Sequence, residues 1–173
     1  MADEWHSLTY RISGAAWNLT LTNEVVIRLS SAAQKGWWTR ETVGQLYCSD
    51  LTTKTLQVDR ISTLKPRWSG YSGVKLDINE VRREREGMHQ QGLHCLGFWH
   101  SHPEPRPEPS PEDLSMAAEH ARAGKNEFEG LLFVIVGTAP FPAGLGVWVH
   151  DGKTVWRMEY ELGRADPDCG LMI

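Results

Sequence analysis

Apolar positions along this chain come in short runs of two periods. Alternation marks LTYRIS (8–13) and WNLTLT (17–22) as two short strands or an irregular hairpin, with Gly14 between them. Val25, Val26, Leu29, Ala32 and Ala33 recur at helical spacing, which predicts a helix capped at Thr22 or Asn23 and ended by Gly36. TVGQLYCSD (42–50) and TKTLQVDRIST (53–63) predict neighbouring strands joined by a hairpin turn over 50–53. Gly, Pro and Ser interrupt the pattern in LKPRWSGYSGVKLD (64–77), an expected irregular insertion, and a charged helix follows over 78–91. GLHCLGFWH (92–100) predicts a buried strand that runs into a proline-rich link. Ser110-Pro111-Glu112-Asp113 opens a helix through Arg122 that Gly124 closes. GLLFVIVG, GLGVWVHD and TVWRMEYEL predict three final strands, with Asp151-Gly152 as a hairpin turn.

Helices and strands alternate early and strands dominate late. The expected fold class is α/β (α+β), a mixed β-sheet flanked by helices. Without repeat or linker, residues 1–162 read as one domain, and 163–173 as a mobile tail with little to bury. The eight tryptophans are expected to supply much of the core.

Charge and cysteine content narrow the function classes. A net charge of −4 gives no support to a nucleic-acid partner. Arg82, Arg83 and Arg85 interleave with Glu80, Glu84 and Glu86, which predicts a solvated helix face. Cys48, Cys95 and Cys169 form no CxxC and no disulfide framework, so Cys48 and Cys95 read as buried apolar residues. MADEWHSLTYRISG is not a signal peptide, and the longest apolar run is too short to span a bilayer. The expectation is a cytoplasmic protein with no membrane partner.

The chemistry gathers at His100-Ser101-His102. Side chains alternate faces along a strand, so His94, Leu96, Phe98 and His100 would share one face, and His102 with them if the extension held. Two imidazoles so placed can meet one zinc ion. His94 has the same parity but lies roughly 20 Å back along an extended strand, too far to be a ligand. Alternating prolines make the link from Glu104 to Pro109 semi-rigid and lead it to a helix whose first turn carries Asp113. Helix capping by itself also explains Ser110 and Asp113, and the two roles are compatible. Ser101 would point away from the ligands and bond nearby backbone.

His100-x-His102, seven residues, Ser110, two residues, Asp113 matches without a gap the signature of the JAMM (JAB1/MPN/Mov34) metalloproteases. The chain resembles that family from about residue 24 to residue 160. Family members carry an upstream glutamate before a glycine-containing strand, and Glu41-Thr42-Val43-Gly44-Gln45-Leu46 is similar to it, departing at Val43 and Cys48. The resemblance implies the JAB1/MPN fold, with its cytidine-deaminase-like architecture. It implies Zn²⁺ as cofactor, held by His100, His102 and Asp113. Glu41 would be the general base and Ser110 the donor to the oxyanion.

It also implies a substrate class: a ubiquitin-like protein, or another conjugated protein, cleaved after its C-terminus. The chain looks like compact bacterial JAB peptidases, several of which lie beside E1- and E2-like enzymes in anti-phage operons. The 64–75 insertion would grip the substrate tail, with Trp68 and Tyr71 closing over it or packing locally. Processing of a sulfur-carrier protein and a non-catalytic MPN scaffold are the alternatives. A RadC-like protein shares the metal motif, but its usual DNA-binding segments are not found in this sequence.

Overall fold

A computed structural model describes residues 6–34, 41–65, 68–70, 73–75, 77–124 and 130–162. In chain order its elements are β1 (Leu8–Arg11), β2 (Asn18–Leu21), α1 (Asn23–Ser31), β3 (Val43–Cys48), β4 (Thr55–Val58), β5 (Arg60–Ile61), β6 (Trp68–Gly70) and β7 (Gly73–Lys75). Then follow α2 (Ile78–Gln90), β8 (His94–Ser101), α3 (Pro111–Ala123), β9 (Leu131–Val136), β10 (Leu145–His150), β11 (Val155–Arg157) and β12 (Glu159–Tyr160).

A six-stranded mixed sheet, ordered β11-β10-β9-β8-β3-β5, forms the centre. Every residue of β3, β9 and β10 is buried, as their nearly continuous apolar sequences require of strands covered on both faces. A four-stranded sheet, β12-β1-β2-β4, and α1 cover one face, where Leu19, Leu21, Val26 and Leu29 join Leu46, Trp99, Val134 and Val147 in one core. The opposite face carries α3, whose Ala117 and Ala121 pack on Phe98, Phe133, Ile135 and Trp148. Val81 of α2 packs with Val43 and Leu64.

Several sequence expectations are corrected. The helix α1 stops at Ser31, with Ala32 as its C-cap; the expected terminator, Gly36, lies outside the described residues. The run 53–63 is not one partner of β3: β4 pairs in parallel with β2 in the outer sheet, and only β5 pairs with β3. Asp59 makes this switch. Its carboxylate accepts from the Ser49 N–H and hydroxyl and from Gln57, and its own N–H donates to Tyr47. The final strand divides likewise, because β11 pairs with β10 whereas β12 crosses to β1. The 64–77 insertion contains a β6–β7 hairpin.

Side-chain placement also differs. Among the described tryptophans, Trp99 and Trp148 are buried, Trp17 is half-buried and Trp156 is exposed on the edge strand β11. The charged face of α2 is only partly solvated. Glu84 accepts bonds from Gln45, Tyr47 and Ser62, and Arg85 donates to the fully buried Gln45. These two charges lie on the flank of the helix turned to β3, because Val81 draws that side inward. Cys48 is buried as expected, whereas Cys95 is half-buried beside Gln45.

Candidate metal centre

The site forms where β3 and β8 begin and end side by side. Antiparallel pairing sets Val43 opposite His100, so the residues leading into β3 lie beside the histidine pair. The first bond beyond the ladder is a clamp. Ser101 N–H donates to the Thr42 carbonyl at 2.9 Å, and Thr42 N–H donates to the Ser101 hydroxyl at 2.9 Å. Glu41 is thereby held against the end of β8.

The strand does not keep simple alternation, which corrects the shared face expected for Leu96, Phe98 and His100. Leu46 faces Gly97 but Tyr47 faces Cys95, so Leu96 is a bulged residue. Leu96 therefore points with Trp99 into the core under the outer sheet, while Phe98 points at α3. Glycine is required beside the bulge: Gly97 has φ +151°, and a Cβ there would lie 1.7 Å from the Leu132 carbonyl oxygen. After the bulge, alternation resumes through His100 to His102.

The link between the histidines and Asp113 is held along its length. His102 N–H donates to the Val136 carbonyl, and Thr138 and Ala139 N–H groups donate to the carbonyls of Glu104 and Pro105. Gly137 lies under this crossing, where a Cβ would meet the Glu104 oxygen and Pro107 at 2.6 Å. The link then enters α3 through a capping box. Ser110 N–H and hydroxyl each donate to Asp113 Oδ2 at 2.8 Å, and Asp113 N–H donates back to the hydroxyl at 3.1 Å.

These three supports bring four predicted residues together. One carboxylate oxygen of Glu41 and one ring nitrogen each of His100 and His102 lie within 4.8 Å of one another. Asp113 Oδ1 is 3.4 Å from His100 Nε2, and Asp113 Oδ2 is 3.9 Å from His102 Nε2. The two imidazoles meet at 4.8 Å between ring centroids. Ser110 is present through Asp113 and not as an independent group, because its hydroxyl hydrogen is engaged there. As predicted, Ser101 bonds nearby backbone. The side chain of Trp68 and all of Tyr71 lie outside the described residues. Sequence reasoning missed Glu104, whose carboxylate lies 3.1 Å from His102 Nδ1. Its position two residues beyond a histidine was the available signal.

The residues fit a divalent metal. His100 is 4% exposed, and its Nε2 has no hydrogen-bond partner. An unsatisfied buried nitrogen costs about 1–3 kcal/mol, which a bound cation would offset. Glu104 Oε2 lies 3.1 Å from His102 Nδ1, on the far side of the ring from Nε2, which faces Asp113 at 3.9 Å; a carboxylate so placed would favour the Nδ1–H tautomer. Two imidazoles and a carboxylate are a common zinc donor set.

The carboxylates differ in basicity. Burial raises the pKa of Glu41, the two imidazoles hold it down in part, and Asp113 and Glu104 raise it further. Burial also acts to raise Asp113, but His100 and the Ser110 donors more than offset this and hold it well below the usual carboxylate range. One carboxylate is thus fixed as an anion, and the other is the better proton acceptor.

The fold and this site define a JAB-type domain. The family of prokaryotic homologs of the JAB domain matches residues 23–151, and the chain belongs to that family. Its fold is similar to the solution structure of a protein from Desulfitobacterium hafniense, with a TM-score of 0.60 and 21% identity over 80% of this chain and 88% of that one. A protein from Salinibacter ruber is similar at a TM-score of 0.51 and 22% identity, covering 87% of this chain and 94% of that one. No curated protein matches the chain. No helix among the described residues is long and apolar enough to cross a membrane.

Proposed function

We propose that this chain is a zinc-dependent peptidase that cuts the bond after the C-terminus of a ubiquitin-like protein or similarly conjugated protein. In this reading it reverses E1/E2-like conjugation in a bacterial anti-phage pathway. The observation that carries the reading is the convergence of Glu41, His100, His102 and Asp113 in a member of the JAB family. The buried His100 Nε2, 3.4 Å from Asp113 Oδ1 but without a hydrogen bond, supports a metal-binding reading over a scaffold.

His100, His102 and Asp113 would hold the metal. When bound, zinc supplies Lewis acidity toward water and the scissile carbonyl. Glu41 takes the proton of the attacking water and passes it to the departing amine, a role its raised pKa suits. Ser110 orients Asp113 through the capping box, and its hydroxyl must turn from Asp113 to donate to the oxyanion. The substrate tail would lie extended beside the sheet, near the β6–β7 hairpin that follows the Val43–Leu64 bridge.

The test is incubation with ubiquitin-like conjugates and with sulfur-carrier fusions. The expected result is cleavage of a conjugate by protein carrying about one zinc per chain, with activity lost to a chelator. Glu41→Gln should keep the metal and lose turnover by roughly 10²-fold or more. Zinc-loaded protein that cleaves nothing in the set would overturn the reading, as would Glu41→Gln at full activity. Cleavage confined to the sulfur-carrier fusions would replace deconjugation with carrier processing.

A further inference from the structure

A second cleft lies at the other end of the elements that build the metal centre. It has a volume of about 750 Å³ and opens between α2 and α3, over the first residues of β8. Five residue steps along β8 separate Cys95 in its floor from His100, roughly 16 Å. At the α3 end the separation is from His120 and Gly124 back to Asp113. Nothing in the proposed peptidase chemistry uses this cleft.

Its charge is one-sided. Arg82, Arg85, His89, His94 and His120 line it, against a single carboxylate, Glu86, among the described lining residues. This concentration of cationic and imidazole groups stands out in a chain of net charge −4. Leu93, just before β8, and Leu131 of β9 supply apolar wall.

Arg85 is the key residue. Its Nε donates to Gln45 Oε1, and its guanidinium lies 5.6 Å from the centroid of the Phe98 ring. Nη2 is buried with no hydrogen-bond partner. Among the described residues no carboxylate makes an ion pair with it. The adjacent Glu84 directs one carboxylate oxygen at three other donors, Gln45, Tyr47 and Ser62. Arg85 is half-buried, with Nη2 shut off from water and unbonded, and an anion in the cleft would offset that cost. The fork geometry of arginine suits the paired oxygens of a carboxylate or phosphate. His120, which packs edge-on against Phe98 at 4.6 Å, is pushed toward its neutral form by burial and by Arg85. It is therefore a hydrogen-bonding group there more than a second charge.

We infer that the cleft between α2 and α3 binds a small anion, a phosphate or carboxylate on a short apolar body, with Arg85 and Arg82 as its principal partners. The anionic head is the chemistry common to both sources. The site is independent of the metal centre, so its test does not depend on peptidase activity.

Titration calorimetry of the full chain with phenyl phosphate and with benzoate tests this. These probes share the apolar ring and differ in the head, so the tighter one identifies the source. The expected result is binding of at least one probe at one site, weakened about tenfold or more by Arg85→Gln and by Arg82→Gln. Arg85→Gln also removes the bond to Gln45, whereas Arg82 is exposed on the helix, so Arg82→Gln decides the matter if the first variant fails to fold. His102→Ala, which disables the metal centre, should bind the probe as tightly as the wild type. Absence of binding by both probes overturns the inference. So does binding that both arginine variants retain, or binding lost in His102→Ala, which would place the anion at the metal.

Discussion

Ser101 and Thr42 are joined twice, by a backbone bond from Ser101 N–H to the Thr42 carbonyl and a bond from Thr42 N–H to the Ser101 hydroxyl, each 2.9 Å. The serine between two candidate ligands thus fixes the segment that carries Glu41. Ser101→Ala removes one of the two bonds, a loss of about 1 kcal/mol in stability. The larger expected effect is on turnover, about a tenfold loss in kcat, with zinc content unchanged. Ser101→Thr keeps the hydroxyl and should restore most of the rate. Equal stability and equal kcat in Ser101→Ala would show that the clamp does not position Glu41.

Glu104 Oε2 lies 3.1 Å from His102 Nδ1, where it would orient the ring. Glu104→Ala should weaken zinc binding by roughly 10-fold or more, the usual cost of losing a carboxylate behind a histidine ligand. Competition against a chromophoric chelator measures this directly. An unchanged affinity would mean that Glu104, which is largely exposed, makes no firm bond in solution.

Gly137 touches no ligand, yet Gly137→Ala should also lower zinc affinity. The added methyl group would stand 2.6 Å from the Glu104 carbonyl oxygen and from Pro107. The proline link must move to admit it, carrying His102 away from Asp113. Circular dichroism should report a folded protein, and the chelator competition a weaker site. A variant with native affinity would show that the link yields without disturbing its ends.

Burial, with the carboxylates of Asp59 and Asp50 nearby, pushes the Cys48 thiol from 9.0 to about 11. The folded state therefore keeps its proton where the unfolded state loses it. Cys48 contributes stability that is present in full below pH 9 and is lost as pH rises through about 11. Urea unfolding across this window should show a steeper decline for the wild type than for Cys48→Ser. Parallel declines would exclude the thiol as the titrating group. At pH 8, Cys48 should also label slowly with a thiol reagent in the folded protein, and quickly in urea.

Much of the helical structure was legible because its signals are local. Asp77 and Ser110 cap α2 and α3, and Gly124 closes α3, each through groups within a few residues. The β1–β2 and β10–β11 hairpins were legible for the same reason. What escaped the sequence was partnership between strands. Nothing in TLQVDRI announces that Val58 belongs to the outer sheet and Ile61 to the central one, because alternation is the same in either. The Leu96 bulge was equally hidden, since its cause is the approach of the Leu132 carbonyl to Gly97.

By itself the sequence determined the donor set and its spacing: two histidines a residue apart, a seven-residue link, and a capped Asp113. These are covalent facts, and the prolines limit how the link can bend. The family resemblance named Glu41 as well, but only the tertiary structure shows its carboxylate beside the two histidines. That required β3 to pair antiparallel with β8 in one register, with Val43 opposite His100 and Ser101 closing on Thr42. The physical reason is that a ladder between residues nearly sixty positions apart is set by the burial of whole strand faces, which no local pattern near Glu41 records. The unbonded guanidinium nitrogen of Arg85 is of the same kind. On the helix Arg85 has Glu84 beside it in sequence, and only packing shows that one oxygen of that carboxylate is turned to Gln45, Tyr47 and Ser62.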